Sequence, residues 1–279
     1  MSFVEAMTSG AFPVSLEITP PRTSKPAILR RRARLLEACT LTVNVIQRPE
    51  RQSSLEAALA LRREGLEPIW HLATGGQAPE AIAADVARAR EGGIGHVLCL
   101  RGDHVAETPG TRVPDAIGIV REQAPGMAIG AALDQYHEDE RADRLLAAKL
   151  HAGAASVWTQ PVFEMAPLLR SAEFVKTQRA GAHVVAMAMP LLTSESLDAI
   201  SERLRIPAPE ELRGRIAAGE GEAWRAFEET LAALAETELV DAVAIMTYRA
   251  DPPEGTGERI VEALRGTGIT EAAGAATDR

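Results

Sequence analysis

HVLCLRGD, His96 to Asp103, is the stretch on which the fold turns. Val97, Leu98, Cys99 and Leu100 make a continuous apolar run of the length that suits a strand covered on both faces, as in a parallel sheet. Arg101 and Asp103 then set opposite charges around Gly102, which has no side chain to keep backbone or ligand away. The stretch therefore reads either as a buried strand delivering a charged tip or as a surface turn with a local ion pair. Its surroundings decide between them.

Upstream, Phe12 to Thr19 alternates and stops at Pro20-Pro21, a first strand carrying Glu17. Leu41 to Ile46 is a second strand and Pro68 to Leu72 a third, ending around His71, with helical patterns at Lys25 to Ala38, Ser53 to Glu64 and Ala78 to Arg90 between and after them. Downstream, strands are expected at Met127 to Ala132, Ser156 to Thr159, His183 to Met189 and Asp241 to Met246. Helices at Asp115 to Glu122, Glu138 to His151, Met165 to Arg179 and Gly257 to Arg265 separate and follow them. Residues 194–237 hold extra helical patterns between strands seven and eight, at Ser194 to Leu204, Pro209 to Ala217 and Glu222 to Glu236. Eight strands alternating with helices and no internal linker predict an α/β protein, a single-domain (β/α)8 TIM barrel spanning residues 1–279; an open doubly wound sheet is the alternative. The Ala-, Gly- and Thr-rich stretch 270–279 is expected to be a disordered tail.

The length of 279 residues is close to the about 250 typical of such a barrel. With 46% hydrophobic but only 4% aromatic residues, the core has to be built from Ala, Leu, Val and Ile. A formal charge of -9 argues against nucleic-acid binding, which needs clustered Lys and Arg. Cys39 and Cys99 stand in apolar surroundings as buried thiols, and neither a disulfide framework nor a metal site is suggested. No stretch approaches the roughly 18 apolar residues of a membrane span, so the expectation is a cytoplasmic protein with no membrane partner, forming a homo-oligomer.

Barrel chemistry gathers at the carboxyl ends of the strands. The polar residues expected there are Glu17, Thr42 with Asn44, His71, Arg101 with Asp103, Tyr136 with His137, Thr159 with Gln160, and Arg249. Glu17 lies between Leu16 and Ile18, so its carboxyl would emerge into an apolar mouth, where burial disfavours the ionised form and suits a general acid; a strand-edge glutamate facing water is the plainer reading. His71 could titrate or simply pack. Gln160 could read an amide-bearing ring or make a structural hydrogen bond. Gly75-Gly76 lacks phosphate-loop spacing, and paired-His, GxSxG and CxxC patterns are missing, which leaves metallohydrolase, serine-hydrolase and dithiol chemistry unsupported.

Taken together, these stretches resemble the methylenetetrahydrofolate reductase family, flavin-dependent (β/α)8 enzymes. VSLEITPPRTS at Val14 to Ser24 is similar to the family's opening VSFEFFPPRT, GLEPIWHL at Gly65 to Leu72 to its GLE…HLT segment, and HAGAASVWTQPVF at His151 to Phe163 to its DAGA…ITQ(F/L)FF stretch. LRGD at Leu100 to Asp103 matches outright, and Thr247-Tyr248-Arg249 falls where the family has a late arginine. The resemblance runs from Val14 to about Leu264. It implies hydride transfer from NADH or NADPH through FAD, interconverting 5,10-methylenetetrahydrofolate and 5-methyltetrahydrofolate, with Glu17 protonating folate N10. It further implies that Asp103 assists catalysis and meets both folate and flavin, that Gln160 and Arg249 bind folate, and that Thr42, His71, Arg101, Gly102, Tyr136, His137 and Lys149 hold the cofactor.

The chain departs from the family pattern mainly on the cofactor side. Where the family has a T(Y/W)GAG-like turn after strand two, this sequence reads Thr42-Val43-Asn44-Val45, and its YPExH becomes Leu133-Asp134-Gln135-Tyr136-His137. The family's Asp, Asn and Arg positions in the next helix fall near Ala142, Leu145 and Ala148, leaving Lys149. Two further readings follow: direct hydride transfer from NAD(P)H without a flavin, or a non-catalytic folate-binding paralogue.

Overall fold

Eight parallel strands close into a barrel in simple sequence order in the computed structural model, which describes residues 1–102, 110–137 and 139–269. The strands are β1 (Val14–Ile18), β2 (Thr42–Val45), β3 (Glu67–Ala73), β4 (His96–Leu100), β5 (Ala128–Ala132), β6 (Ser156–Pro161), β7 (His183–Ala188) and β8 (Ala242–Met246), with β8 pairing back onto β1. The helices are α1 (Phe3–Thr8), α2 (Pro26–Ala33), α3 (Ser54–Arg63), α4 (Pro79–Glu91), α5 (Val113–Gln123), α6 (Glu140–Ala152), α7 (Met165–Gln178), α8 (Ser194–Leu204), α9 (Glu210–Ala217), α10 (Glu220–Glu236) and α11 (Thr256–Gly266). The fold is thus the expected single-domain (β/α)8 barrel, and the open sheet is excluded by the β1–β8 pairing.

Strand alternation sorts the side chains into two cores. Val14, Leu16, Val43, Val45, Trp70, Val97, Cys99, Val157 and Val243 face outward and are sealed by the helices. The opposite set, Ile69, Leu98, Trp158, Val185, Ala242 and Ala244, fills the barrel itself. Space inside is tight: a Cβ on Gly130 would stand 2.7 Å from Trp158 Nε1, so β5 carries no side chain there. Ser15 and Asn44 face each other inside the barrel, with Asn44 Nδ2 donating to Ser15 Oγ at 3.1 Å.

The sequence reading had no counterpart for α1. Ser2 caps it through a reciprocal box with Glu5, the Ser-x-x-Glu pattern that marks a helix start. It closes the amino-terminal end of the barrel: Phe3 and Met7 join the interior core, and the Phe3 ring stacks on Trp158 at 5.6 Å. Elsewhere the differences are at element ends. β3 runs past His71 to Ala73, and α6 starts at Glu140 under an Asp139 cap, with Glu138 outside the described residues. Between β7 and β8, α10 packs on β7 and α11 as a barrel helix, while α8 and α9 make a small apolar cluster with Met189, Leu191 and Met246 beside the mouth. The stretch 270–279 also lies outside the described residues. Among those described, no helix is long and apolar enough to cross a membrane.

Candidate active site at the barrel mouth

Glu17 is the penultimate residue of β1, in register with Asn44 on β2 and Met246 on β8. Its neighbours Leu16 and Ile18 turn outward into the helix-covered core, which commits Glu17 to the barrel side. There it is half-buried and lines a cavity of about 510 Å3 with Thr19, Ile46, Arg48, Arg203 and Tyr248. Arg31, Arg32 and Asp251 form another part of this wall.

Arg249 lies elsewhere. It is exposed and lines an adjoining cavity of about 800 Å3 with Trp224, Glu220 and Arg259, where the Arg259 guanidinium sits 5.6 Å from the Trp224 ring centre. Thr247, Tyr248 and Pro252 to Gly255 contribute to both cavities, so the loop after β8 stands between Glu17 and Arg249.

Gln160 ends up near the end of β6, half-buried, with its backbone rather than its amide engaged. Its N–H donates to Gln135 Oε1 at 3.0 Å and its carbonyl accepts from Gln135 Nε2 at 2.9 Å. Gln135 is 1% exposed and fastens the loop after β5 to β6. Sequence reasoning gave it no role, because a glutamine between Asp134 and Tyr136 in a polar turn carries no sign of the strand it will fasten. The Gln160 side-chain amide has no hydrogen bond among the described residues, which leaves it available at the mouth.

The residues that the resemblance assigned to a flavin do not assemble into one surface. Thr42 opens β2, so it lies at the end of the barrel opposite to Glu17; its hydroxyl donates to Glu67 at 3.3 Å and it lines a cavity with Phe3 and His96. His71 is 6% exposed inside the barrel, and burial holds its imidazole at about 3, neutral at any working pH. Tyr136 has its hydroxyl doubly engaged, donating to the Pro161 carbonyl and accepting from Phe163 N–H, both at 2.9 Å; burial pushes the phenol up to about 12. His137 is exposed and paired with Asp134 at 2.8 Å. Lys149 donates to the Ala132 carbonyl at 2.7 Å, and burial lowers its ammonium below the usual lysine range.

Arg101 and Gly102 remain at the mouth. The ladder continues past the end of β4, since Thr74 N–H donates to Leu100 and Gly75 N–H to Arg101. Gly102 then takes a φ of 91°, a conformation open to glycine, which turns the chain away from the strand. Asp103 lies outside the described residues. Among the described residues, Thr42 at the far end of the barrel, His71 inside it and Tyr136 with its hydroxyl spent on the backbone do not fit a flavin together as they stand, while Lys149 has given one of its three donors to Ala132. Cys99 is buried, its thiol raised to about 12 by burial, and it is an inert core residue.

A closed parallel barrel with Glu17, the Gln160 amide and the Gly102 turn at its carboxyl-terminal mouth belongs to the large class of (β/α)8 proteins, in which chemistry gathers at that face. Within the class, the sequence profile of methylenetetrahydrofolate reductase matches residues 3–230, and the chain belongs to that family. Among solved structures it is similar to an uncharacterized protein from Clostridium thermocellum that binds two copies of 5-methyl-5,6,7,8-tetrahydrofolic acid. The identity is 12% over 95% of this chain and 98% of that one, with a TM-score of 0.70. An oxaloacetate acetylhydrolase (11% identity, 99% of this chain and 90% of that one, TM-score 0.56) and a 2,3-dimethylmalate lyase (12%, 94% and 82%, 0.54) share the barrel. These likenesses establish the fold. No curated protein sequence matches the chain significantly.

Proposed function

We propose that the chain is a folate oxidoreductase that interconverts 5,10-methylenetetrahydrofolate and 5-methyltetrahydrofolate, with Glu17 as general acid and NADH or NADPH as direct hydride donor. The observation that carries this reading is Glu17, a half-buried carboxyl at the end of β1 in a cavity large enough for a pterin, in a chain of the methylenetetrahydrofolate reductase family. The folate-binding neighbour adds to it.

In the substrate one carbon bridges N5 and N10. A proton delivered from the Glu17 carboxyl to N10 makes that nitrogen a leaving group, and the ring opens to an iminium at N5. Hydride then adds to the iminium carbon, giving the methyl group and oxidised nicotinamide. Run backwards, the carboxylate of Glu17 takes the proton from N10 as the ring closes. The Gln160 amide, with two donors and an acceptor, is suited to the amide edge of the pterin. Arg249, on the far side of the β8 loop, is suited to a more distant part of the ligand.

Direct transfer is favoured over the flavin route because the side chains at Thr42, His71, Tyr136 and Lys149 are buried, distant or already bonded. The test is the visible spectrum of purified protein alongside NAD(P)H-dependent turnover. The reading expects a colourless protein that takes up no FAD and consumes reduced nicotinamide when 5,10-methylenetetrahydrofolate is added. A stoichiometric flavin bleached by NADH would restore the FAD route that the family resemblance implies. Folate binding without turnover under either cofactor would instead make the chain a folate-binding protein.

A further inference from the structure

The cavity that holds Glu17 carries a second kind of chemistry on its wall. Arg32 is built into it: its side chain is 9% exposed and donates to the Thr19 carbonyl at 2.7 Å and to the two Asp251 oxygens at 3.0 and 2.5 Å. Arg31 adds a further bond to Asp251 Oδ1 at 2.6 Å, using one of its five N–H donors while 68% of its side chain stays exposed. The Arg32 hydrogen bond, foremost, holds the Asp251 carboxyl down to about 2, so this carboxylate stays charged. Two guanidiniums on one carboxylate leave this cluster, though not the whole wall, with an excess positive charge. Arg48, on the segment after β2, lines the same cavity, and no hydrogen bond or ion pair holds its guanidinium among the described residues. Glu254 and Glu258 line it from the α11 side.

A half-buried carboxyl at the strand end and unspent guanidinium donors in one cavity match a ligand with two unlike ends. We propose that Arg31 and Arg48 bind the oxyanions of a tail whose ring system lies against Glu17, an inference that rests on the reading of that site given above. Two tails share this chemistry: the carboxylates of a γ-linked glutamate chain on a folate, and the diphosphate of a nicotinamide dinucleotide. Guanidiniums grip either one through paired N–H donors. Arg32 holds its place for them by locking the β8 loop to α2.

The test uses the whole chain and its Arg48→Gln and Arg31→Gln variants. Each is titrated with tetrahydropteroate (no glutamate), 5-methyltetrahydrofolate carrying one or three glutamates, NADH, and tripolyphosphate alone. Wild type should bind the triglutamate or NADH in a salt-sensitive way. Either variant should weaken that ligand by about 10-fold, the scale of a charged hydrogen bond, and leave tetrahydropteroate unchanged. A loss confined to the triglutamate assigns the wall to the folate tail, and one confined to NADH assigns it to the dinucleotide. Affinities within about twofold throughout, or an equal loss for tetrahydropteroate, would overturn the proposal. If no folate form binds but NADH or tripolyphosphate does and Arg48→Gln abolishes it, the folate reading fails while the anion wall stands. If none of these probes binds wild type, the wall is refuted. Arg48→Lys keeps the charge without the fork and should fall between wild type and Arg48→Gln.

Discussion

Tyr136 holds two backbone groups at once, and removing its hydroxyl leaves the Phe163 N–H without its partner and the Pro161 carbonyl with only the 3.4 Å bond from Gln135 Nε2. Tyr136→Phe is therefore expected to lower stability by about 1–3 kcal/mol, the cost of unsatisfied buried groups, as read by urea denaturation. Because the same bonds fix the loop after β6, next to Gln160, the KM for folate should rise more than kcat falls. A flavin-contacting phenol would instead alter the visible spectrum and leave stability largely alone. Glu17 was legible at this scale because two flanking apolar residues fix which way a strand residue points. The jobs of Tyr136 and Lys149 were not, since a hydroxyl or ammonium in a sequence carries no sign of the carbonyl it will meet.

At the scale of elements, alternation and short apolar runs located every strand, and the position of a polar residue along its strand sets the end at which it stands. β2 has Thr42 at its start and Gln47 just beyond its finish; chain direction in a parallel barrel already puts Thr42 at the amino-terminal end, and its register with Glu67 agrees. α1 was readable in principle from Ser2 and Glu5, yet at six residues it has too short a pattern for helical periodicity. Its contribution is packing: Phe3, 5% exposed, lies among Trp158, His96 and Ile69. Phe3→Ala should cost about 3–5 kcal/mol in chemical denaturation. The same variant should leave kcat near its original value at a temperature where it stays folded, because α1 closes the end of the barrel away from Glu17.

For the whole molecule, closure of the barrel was foreseeable from the count of alternating elements. The polar content of its interior was less visible. His71 and His96 are both buried and neutral, with imidazoles held by desolvation at about 3 and about 4. In the unfolded chain each would titrate near 6.5. The folded values are depressed, so the unfolded state binds protons first, and the stability is complete above about pH 6.5 and declines as pH falls through that value. Each imidazole should remove about 1.4 kcal/mol per pH unit below that point until its folded value is reached. Thermal melts from pH 7.5 to 5 should show the midpoint falling, and His71→Gln should make the decline shallower. A midpoint flat across that range would contradict the burial assigned to both rings.

The central claim is that Glu17 moves a proton on a folate. The measurement that tests it most directly is single-turnover reduction of 5,10-methylenetetrahydrofolate by Glu17→Gln, with folate affinity determined in parallel. The account predicts a rate lower by about 10²–10⁴, the span of general acid catalysis, with affinity changed little and folding intact. Turnover within a few-fold of wild type would contradict it and move the acid elsewhere on the barrel mouth.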